Sequence, residues 1–146
     1  VNPVFRPARA VDEESPFILA VSDIYVQKNL HGLVDALPAI AARFPQLRLK
    51  VAGRPIDREY YEDVRGKAAA LGILEKIDFL GHCATDDLIK LYAGCKLLVF
   101  PSTVETFGNP LVEAMACGVP VASSNRTAMP EIPEDLHDFQ IGRGRR

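Results

Sequence analysis

The sequence is short of several features that assign proteins to common classes. It has no strong charge of either sign, because 17 Lys and Arg residues stand against 19 Asp and Glu, for a formal net charge of -2. This balance supplies no overall basic field that would attract the phosphates of DNA or RNA. We therefore expect no nucleic-acid partner.

Cysteine is also scarce. The three cysteines, Cys83, Cys95 and Cys117, are odd in number and form no C-x-x-C pair. This pattern predicts neither a disulfide framework nor a zinc site. We interpret the three as small core residues of a protein in a reducing, cytoplasmic setting.

Long apolar runs and the common nucleotide signatures are missing as well. No run approaches the roughly 18 residues of a membrane span, and the first residues lack a charged region followed by an apolar one. The expectation is a chain with neither a membrane span nor a signal peptide. No G-x-G-x-x-G follows the first apolar run and no G-x-x-x-x-G-K-[ST] occurs, so a dehydrogenase or an ATPase loses its main support.

What the sequence does contain, from Phe17 onward, is an alternation of short apolar runs and longer amphipathic stretches. Runs that are apolar on both faces and separated by helices indicate a parallel sheet covered on both sides. The predicted fold class is therefore α/β, a Rossmann-like doubly wound parallel sheet. The predicted strands are FILAVS, LRLKVAG, IDFLG, KLLVFPS and VPVAS, with helices over about 30–44, 58–71, 86–93 and 110–116.

Helix boundaries carry their own signals. Side-chain oxygens at three positions can accept hydrogen bonds from the first-turn amides of the second, third and fourth helices. Two glycines follow helices where a left-handed residue is commonly needed. The predicted N-caps are Asp57, Thr85 and Asn109, and the predicted left-handed glycines are Gly72 and Gly118.

The turn after the fourth strand is the most informative segment. The strand ends near Pro101, a loop with Gly108 follows, and a helix begins at Pro110. Amides at such a helix start form an anion site, although any strand-to-helix turn shares this shape. Glu113 lies on the second turn among apolar neighbours, where a carboxylate needs a partner. A ribose hydroxyl is one candidate, and a plain helix-dipole role is the alternative.

The segment from Phe100 to Val121 closely resembles a known donor-site motif. Its sequence FPSTVETFGNPLVEAMACGVPV is similar to P-S-x-x-E-x-F-G-x-x-x-x-E-A-M-A-x-G-x-P-V of the retaining GT-B-fold glycosyltransferases (glycosyl transferases group 1, family 4). FILAVSDIYVQKNL resembles that family's first strand and phosphate loop, LRLKVAGRP its second strand, IDFLGHC its base-side loop and MPEI its L-P-E-V. The resemblance covers about residues 17–131 and implies the C-terminal, donor-binding domain.

The resemblance also implies roles for individual residues. Glu113 would bind the ribose hydroxyls, Lys28 the diphosphate, and Glu105 would orient the transferred sugar and the distal phosphate. The backbone amides of 107–111 would assist Glu105, and the loop 79–83 would lie beside the base. The candidate catalytic residues are Glu105 and Lys28, and the candidate donor-binding residues are Glu113, Phe107, Gly108, Asn109, Pro110, Leu111, Arg54, Phe79, Gly81 and His82.

One departure from the family pattern concerns charge. Five residues before Lys28, where the family commonly has an arginine, this sequence has Asp23. An acidic residue there repels a diphosphate unless it turns away or pairs with Lys28. Arg54, after the adjacent strand, is a candidate to supply the missing charge, and its alternative interpretation is an exposed surface arginine.

The resemblance implies an enzyme, a retaining hexosyltransferase that uses a nucleotide diphosphate sugar and a sugar or lipid-linked acceptor. The sequence has no D-x-D pair, which agrees with metal-independent chemistry, so no cofactor is expected. We expect a linker over 1–16, the nucleotide-sugar-binding domain over 17–131 and an irregular tail over 132–146. The acceptor would lie on an N-terminal domain outside this chain. We therefore expect truncation and an inactive isolated domain, and peripheral membrane association of the full enzyme stays open.

Two alternatives remain at this point. A sugar-nucleotide epimerase shares the fold but lacks the glutamate pair of the motif. A flavodoxin-like binding module, such as a receiver domain, needs an acidic cluster after the first strand and an aspartate after the third. Asp23 alone does not form that cluster, and Gly81 and His82 occupy the later position.

Overall fold

A computed structural model describes residues 15–102 and 109–123 of the chain. Strands and helices alternate throughout these residues, and short 3-10 turns lie at Val26–Lys28 and Leu74–Lys76. The elements are β1 (Phe17–Val21), α1 (Leu30–Arg43), β2 (Arg48–Ala52), α2 (Arg58–Ala70), β3 (Ile77–Gly81), α3 (Thr85–Gly94), β4 (Leu97–Phe100), α4 (Asn109–Ala116) and β5 (Val121–Ser123).

The five strands form one parallel sheet in the order β3-β2-β1-β4-β5. The apolar runs bury both faces of this sheet. β1, at its centre, is buried along its whole length, and successive residues point to opposite faces. The α/β, Rossmann-like doubly wound fold predicted from the sequence is confirmed.

Two hydrophobic cores lie on the two faces of the sheet. On one face, Phe17 and Leu19 of β1 pack with Tyr92 of α3 and with Leu111 and Ala114 of α4. On the other face, alternate residues of β1 and β2 pack against α1 and α2, and this core is built from Ile18, Ala20, Leu33, Leu37, Leu49, Val51, Tyr60 and Val64. Helices α3 and α4 therefore share one face, and α1 and α2 share the other.

Most of the predicted helix boundaries agree with the structure. The Asp57 carboxylate accepts a hydrogen bond from the Tyr60 amide and caps α2. Gly72 and Gly118 have φ of 72° and 76°, as predicted for residues that follow helices. The Thr85 cap is wrong, because Thr85 is the first residue of α3 and the extended residue before it is Ala84. Helix α4 likewise begins at Asn109, one residue earlier than expected, so the predicted cap at Asn109 is also wrong.

Parts of the predicted organisation lie outside the described residues. These are residues 1–14 of the expected linker, the MPEI segment and the expected tail. Within 15–102 and 109–123, no helix combines the length and apolar character that crossing a membrane requires.

Candidate functional site

The strand order places a crevice between β1 and β4. Strand order reverses there, with β2 and β3 on one side of β1 and β4 and β5 on the other. In open parallel sheets, ligands bind outside the carboxyl ends of the strands at such a switch point. The loop after β1 carries Lys28, and the chain after β4 leads to α4.

Close backbone contacts tie together the loops after β1, β2 and β3. The Ser22 amide donates to Ala52 O at 2.9 Å, and the Gly53 amide donates to Gly81 O at 2.8 Å. A Cβ atom on Gly53 would lie 1.8 Å from Ser22 O. Only glycine therefore fits where the first two loops cross.

A cavity of about 180 Å³ opens at this carboxyl edge. Five parts of the fold contribute to it: the ends of β1 and β2, the loop after β3, and the first turns of α3 and α4. Among the predicted site residues, His82 and Pro110 line it. The full lining is Val21, Ser22, Asp23, Ala52, Gly53, His82, Cys83, Leu88 and Pro110.

A larger cavity, of about 500 Å³, opens at the opposite, amino edge of the sheet. Its lining is mostly apolar and includes Pro16, Ile18, Phe44, Leu47 and Leu97. No predicted site residue lies there. Cavity size alone would place the functional site at the amino edge of the sheet. The polar residues that line the smaller cavity, among them Asp23 and His82, favour the carboxyl edge instead.

Lys28 lies in the 3-10 turn after β1 and is only 9% exposed. Its Nζ is 5.3 Å from the centroid of the Tyr25 ring and 6.0 Å from that of Phe100, at the end of β4. Aromatic faces attract a cation at these distances. The ammonium group is therefore held between the β1 loop and the end of β4, at the switch point.

Asn29 fixes this turn and was not foreseen from the sequence. It has the left-handed φ of 54°, which Asn tolerates better than most residues. Its Oδ1 accepts from the Gly32 amide and caps α1, and its Nδ2 donates to Pro101 O at 3.3 Å. One side chain thus joins the lysine turn to the chain that leaves β4.

Glu113 lies on α4 and is partly buried. Its Oε2 accepts a hydrogen bond from the Tyr92 hydroxyl at 3.0 Å. Burial raises the pKa of Glu113, and the hydrogen bond from Tyr92 acts in the opposite direction. Burial, with the nearby Glu113 carboxylate, raises the pKa of Tyr92, so the tyrosine remains a neutral donor. The partner that we expected for this carboxylate is therefore, at least in part, the side chain of Tyr92.

Asp23 pairs with Arg54. We had expected Asp23 either to turn away from the site or to pair with Lys28. The Asp23 carboxylate accepts from the Arg54 backbone amide at 2.8 Å and from its guanidinium Nη2 at 2.8 Å. The hydrogen bond from Arg54 lowers the pKa of Asp23, and the same contact raises the pKa of Arg54. The Arg54 side chain is 60% exposed. Its charge offsets that of Asp23 where an uncompensated acid would repel an anion.

The remaining predicted residues differ in their relation to the cavity. His82 is exposed at the cavity, and Gly81, with φ of 68°, ends β3. Phe79 lies within β3, where its ring packs edge-to-face on Tyr61 of α2 at 5.2 Å and does not line the cavity. Asn109 is exposed, whereas the Leu111 side chain is in the core, so only the backbone of Leu111 remains a candidate for binding. Glu105, Phe107 and Gly108 lie outside the described residues.

The cysteines are buried or half-buried, and none is grouped with other possible metal ligands in the part of the chain that the structure describes. Cys95 and Cys117 are buried, as predicted, and Cys83 is half-buried beside the cavity. Burial raises the pKa of Cys95 to about 12, so its thiol stays protonated. In the part of the chain that the structure describes, no three His, Cys, Asp or Glu side chains are grouped to hold a metal ion.

Comparison with known proteins decides the family. The sequence profile described as "Glycosyl transferases group 1" matches residues 1–139. The chain belongs to the group 1 glycosyltransferases. This glycosyltransferase chain is 35% identical over 134 residues to the serotype-specific mannosyltransferase WbdA of Escherichia coli, covering 85% of the chain and 16% of WbdA. It is 37% identical over 128 residues to an uncharacterized glycosyltransferase of Methanocaldococcus jannaschii, covering 88% of the chain and 32% of that protein.

Solved structures agree with this assignment. Anabaena HepE in complex with UDP and glucose superposes with a TM-score of 0.74 at 30% identity, covering 82% of this chain and 32% of HepE. The C-terminal domain of LpcC, a group 1 family protein from Francisella tularensis, superposes with a TM-score of 0.76 at 25% identity, covering 90% of this chain and 73% of that domain. The glycosyltransferase chain thus spans less than a third of HepE but most of a C-terminal domain.

Proposed function

We propose that this chain binds the nucleotide diphosphate sugar from which a retaining enzyme of family 4 transfers a hexosyl group to a sugar or lipid-linked acceptor. The observation that carries the proposal is the junction at the switch point. There, Asn29 ties the Lys28 turn to Pro101, on the chain that leads from β4 to Glu113 on α4. HepE, part of which shares this fold, was solved in complex with UDP and glucose and with UDP-glucose.

The diphosphate would bind between Lys28 and the start of α4. A buried ammonium group interacts with an anion more strongly than an exposed one, because water screens it less. The amides at 109–111 add the partial positive charge of a helix N-terminus. Together these groups would stabilise the diphosphate as it leaves the sugar, and we propose that they do so without a resident metal ion.

The ribose would bind at Glu113. A carboxylate offers about four acceptor positions on its two oxygens. The bond from Tyr92 to Oε2 therefore leaves capacity for the ribose hydroxyls. Hydrogen bonds from hydroxyls to an ionised carboxylate are stronger than those between neutral groups, so they would offset the cost of partly burying this glutamate.

The base would lie on the side of β3, beside Gly81 and His82. His82 is exposed at the cavity, whereas Phe79 supports this wall from the α2 side through its contact with Tyr61. We therefore restrict the proposed contacts with the base to Gly81 and His82. Arg54, held by Asp23, would lie at the rim of the same cavity.

Sugar transfer would need more than this chain. We propose that Glu105 and the backbone at 107 and 108 orient the transferred sugar, and that the acceptor binds a second domain in the full enzyme. The chain spans 16% of WbdA and 32% of HepE. Because positioning two reactants is a large part of catalysis, we expect this chain alone to bind donor but transfer no sugar.

Calorimetry with UDP, GDP and ADP tests the binding proposal. We expect one diphosphate to bind, also in the presence of EDTA. Glu113→Ala should weaken it by about ten- to a hundredfold, because charge-assisted hydrogen bonds are lost. Equal affinity of the wild-type chain and Glu113→Ala would remove the ribose assignment. The configuration of the product made by the full enzyme, read by NMR, tests the retaining mechanism.

A further inference from the structure

The hydrogen bond between Tyr92 and Glu113 indicates a role for Tyr92, a residue outside the donor-site motif. We propose that Tyr92 is a positioning residue for the donor ribose, because its buried hydroxyl holds the Glu113 carboxylate in the orientation that the ribose hydroxyls require. The inference rests on the proposed function, since it assigns a ribose to Glu113. Tyr92 would not touch the nucleotide itself.

The geometry supports this role in two ways. Tyr92 is 0% exposed and packs in the core formed by β1, β4, α3 and α4, so its ring is held rigidly. Its hydroxyl donates to Glu113 Oε2 at 3.0 Å across the two helices. Glutamate has three rotatable side-chain bonds, and fixing them before the ligand arrives removes an entropic cost from binding.

The electrostatics act in the same direction. Burial raises the pKa of Glu113, while the Tyr92 hydrogen bond opposes that shift. A protonated Glu113 would lose acceptor capacity for the ribose. Tyr92 thus favours both the orientation and the ionised form of the carboxylate.

A purely structural role for Tyr92 would look similar in a static structure. A buried tyrosine hydroxyl usually finds some hydrogen-bond partner, and Glu113 could be that partner without any effect on a ligand. The two roles differ in what they predict for the ribose. A structural tyrosine would affect all nucleotides alike, whereas a positioning tyrosine affects those with ribose hydroxyls.

The first experiment compares Tyr92→Phe with the wild-type chain in calorimetry. The ligands are UDP, GDP and ADP, and the 2′,3′-dideoxy form of whichever binds. We expect Tyr92→Phe to weaken binding of the ribonucleotide about tenfold. This is the effect of losing one hydrogen bond of about 1.4 kcal/mol. The affinity for the dideoxy form should stay within about twofold.

Tyr60→Phe is the matched control. Tyr60 is also a buried helical tyrosine with a hydrogen-bonded hydroxyl, which accepts from the His31 amide, but it packs on the opposite face of the sheet. Both variants remove one hydroxyl from a core. We expect Tyr60→Phe to leave the affinity for both nucleotides unchanged.

The second experiment asks whether Tyr92 acts through Glu113. In the Glu113→Ala background, Tyr92→Phe should cause no further loss of affinity, because the carboxylate that it positions is absent. In the nucleotide-free chain, the Glu113 carboxyl can be titrated by carbon-13 NMR. Its pKa should be higher in Tyr92→Phe than in the wild type. If Tyr92→Phe fails to fold, 3-fluorotyrosine at position 92, a stronger donor of the same shape, should lower that pKa.

The outcomes separate this inference from the proposed function. Equal losses for the ribose and dideoxy nucleotides, or additive effects of Tyr92→Phe and Glu113→Ala, would overturn the role of Tyr92 while nucleotide binding stands. If the wild-type chain binds no nucleotide, the proposed function fails and the ribose role fails with it. The titration then still reports whether Tyr92 holds the carboxylate.

Discussion

The two edges of the sheet differ in what they place around a cavity. At the amino edge, a cavity of about 500 Å³ is lined mainly by apolar side chains. At the carboxyl edge, a cavity of about 180 Å³ is lined in part by Asp23, which pairs with Arg54, and the turn after β1 and helix α4 at this edge carry the buried Lys28 and the partly buried Glu113. Burying a charged side chain is unfavourable unless the charge is paired with a protein group or with a ligand. Converging polar groups therefore identify the candidate site in this fold better than cavity volume does.

The largest expected effect comes from Gly53, at the carboxyl edge. Gly53→Ala would place a Cβ atom 1.8 Å from Ser22 O, so the first two loops must separate. We expect a loss of at least about 3 kcal/mol in the free energy of unfolding, measured with urea. Gly66→Ala is the control, because nothing lies within 4 Å of a Cβ atom there. As an exposed helical position, it should stabilise by about 0.5–1 kcal/mol. Similar effects of the two changes would mean that the loops do not approach this closely.

Two lysines compare the edges directly. Lys28→Ala should weaken binding of a nucleoside diphosphate about tenfold or more, through a lost charge-assisted contact, and leave the parent nucleoside unaffected. Lys96→Ala, beside the amino-edge cavity, should change neither affinity. Calorimetry of each variant with both ligands measures this. If the diphosphate and the nucleoside lose affinity equally, Lys28 has a structural role.

Two aspartates extend the comparison to pH. Asp23 pairs with Arg54 at the carboxyl edge, and Asp78 pairs with Arg48 near the starts of β2 and β3. In each pair, the hydrogen bond from arginine lowers the pKa of the aspartate from 3.8. Their stabilisation is therefore complete above about pH 4 and is lost as the pH falls through the lower folded-state pKa.

Asp23→Asn and Asp78→Asn should each remove part of this acid dependence. The expected change is below about 1 kcal/mol, because the side chains of both pairs remain about a third or more accessible to solvent, which screens the pairs. Urea unfolding between pH 7 and pH 3 measures it. Only Asp23→Asn should also change diphosphate affinity, because only that pair borders the proposed site. An equal effect of Asp78→Asn on binding would contradict the difference between the edges.

The sequence predicted the order of strands and helices because that order depends on local patterns. Apolar runs of strand length and amphipathic stretches are visible within a few residues. The cap at Asp57 and the left-handed Gly72 and Gly118 are equally local. The Thr85 cap failed because helix α3 begins one residue earlier than the pattern indicated.

The contacts that organise the candidate site could not be derived from local patterns. Asn29 reaches Pro101 over 72 positions, and Tyr92 reaches Glu113 over 21. Asp23 and Arg54 lie 31 positions apart. These pairs exist because β1, β2 and β4 are neighbours in the sheet and because α3 and α4 share one face. One signal was available for Asn29, since an asparagine directly before an amphipathic stretch is a candidate cap.

We propose that the nucleotide diphosphate binds at the carboxyl edge of the sheet, at the β1–β4 switch point. Amide NMR spectra of the nitrogen-15-labelled chain, recorded during titration with UDP, GDP and ADP, test it most directly. We expect one nucleotide to shift the signals of Lys28, Asn29, His82 and Glu113 and to leave those of Phe44 and Lys96 in place. Shifts centred on the amino edge, or no shifts with any of the three, would contradict it.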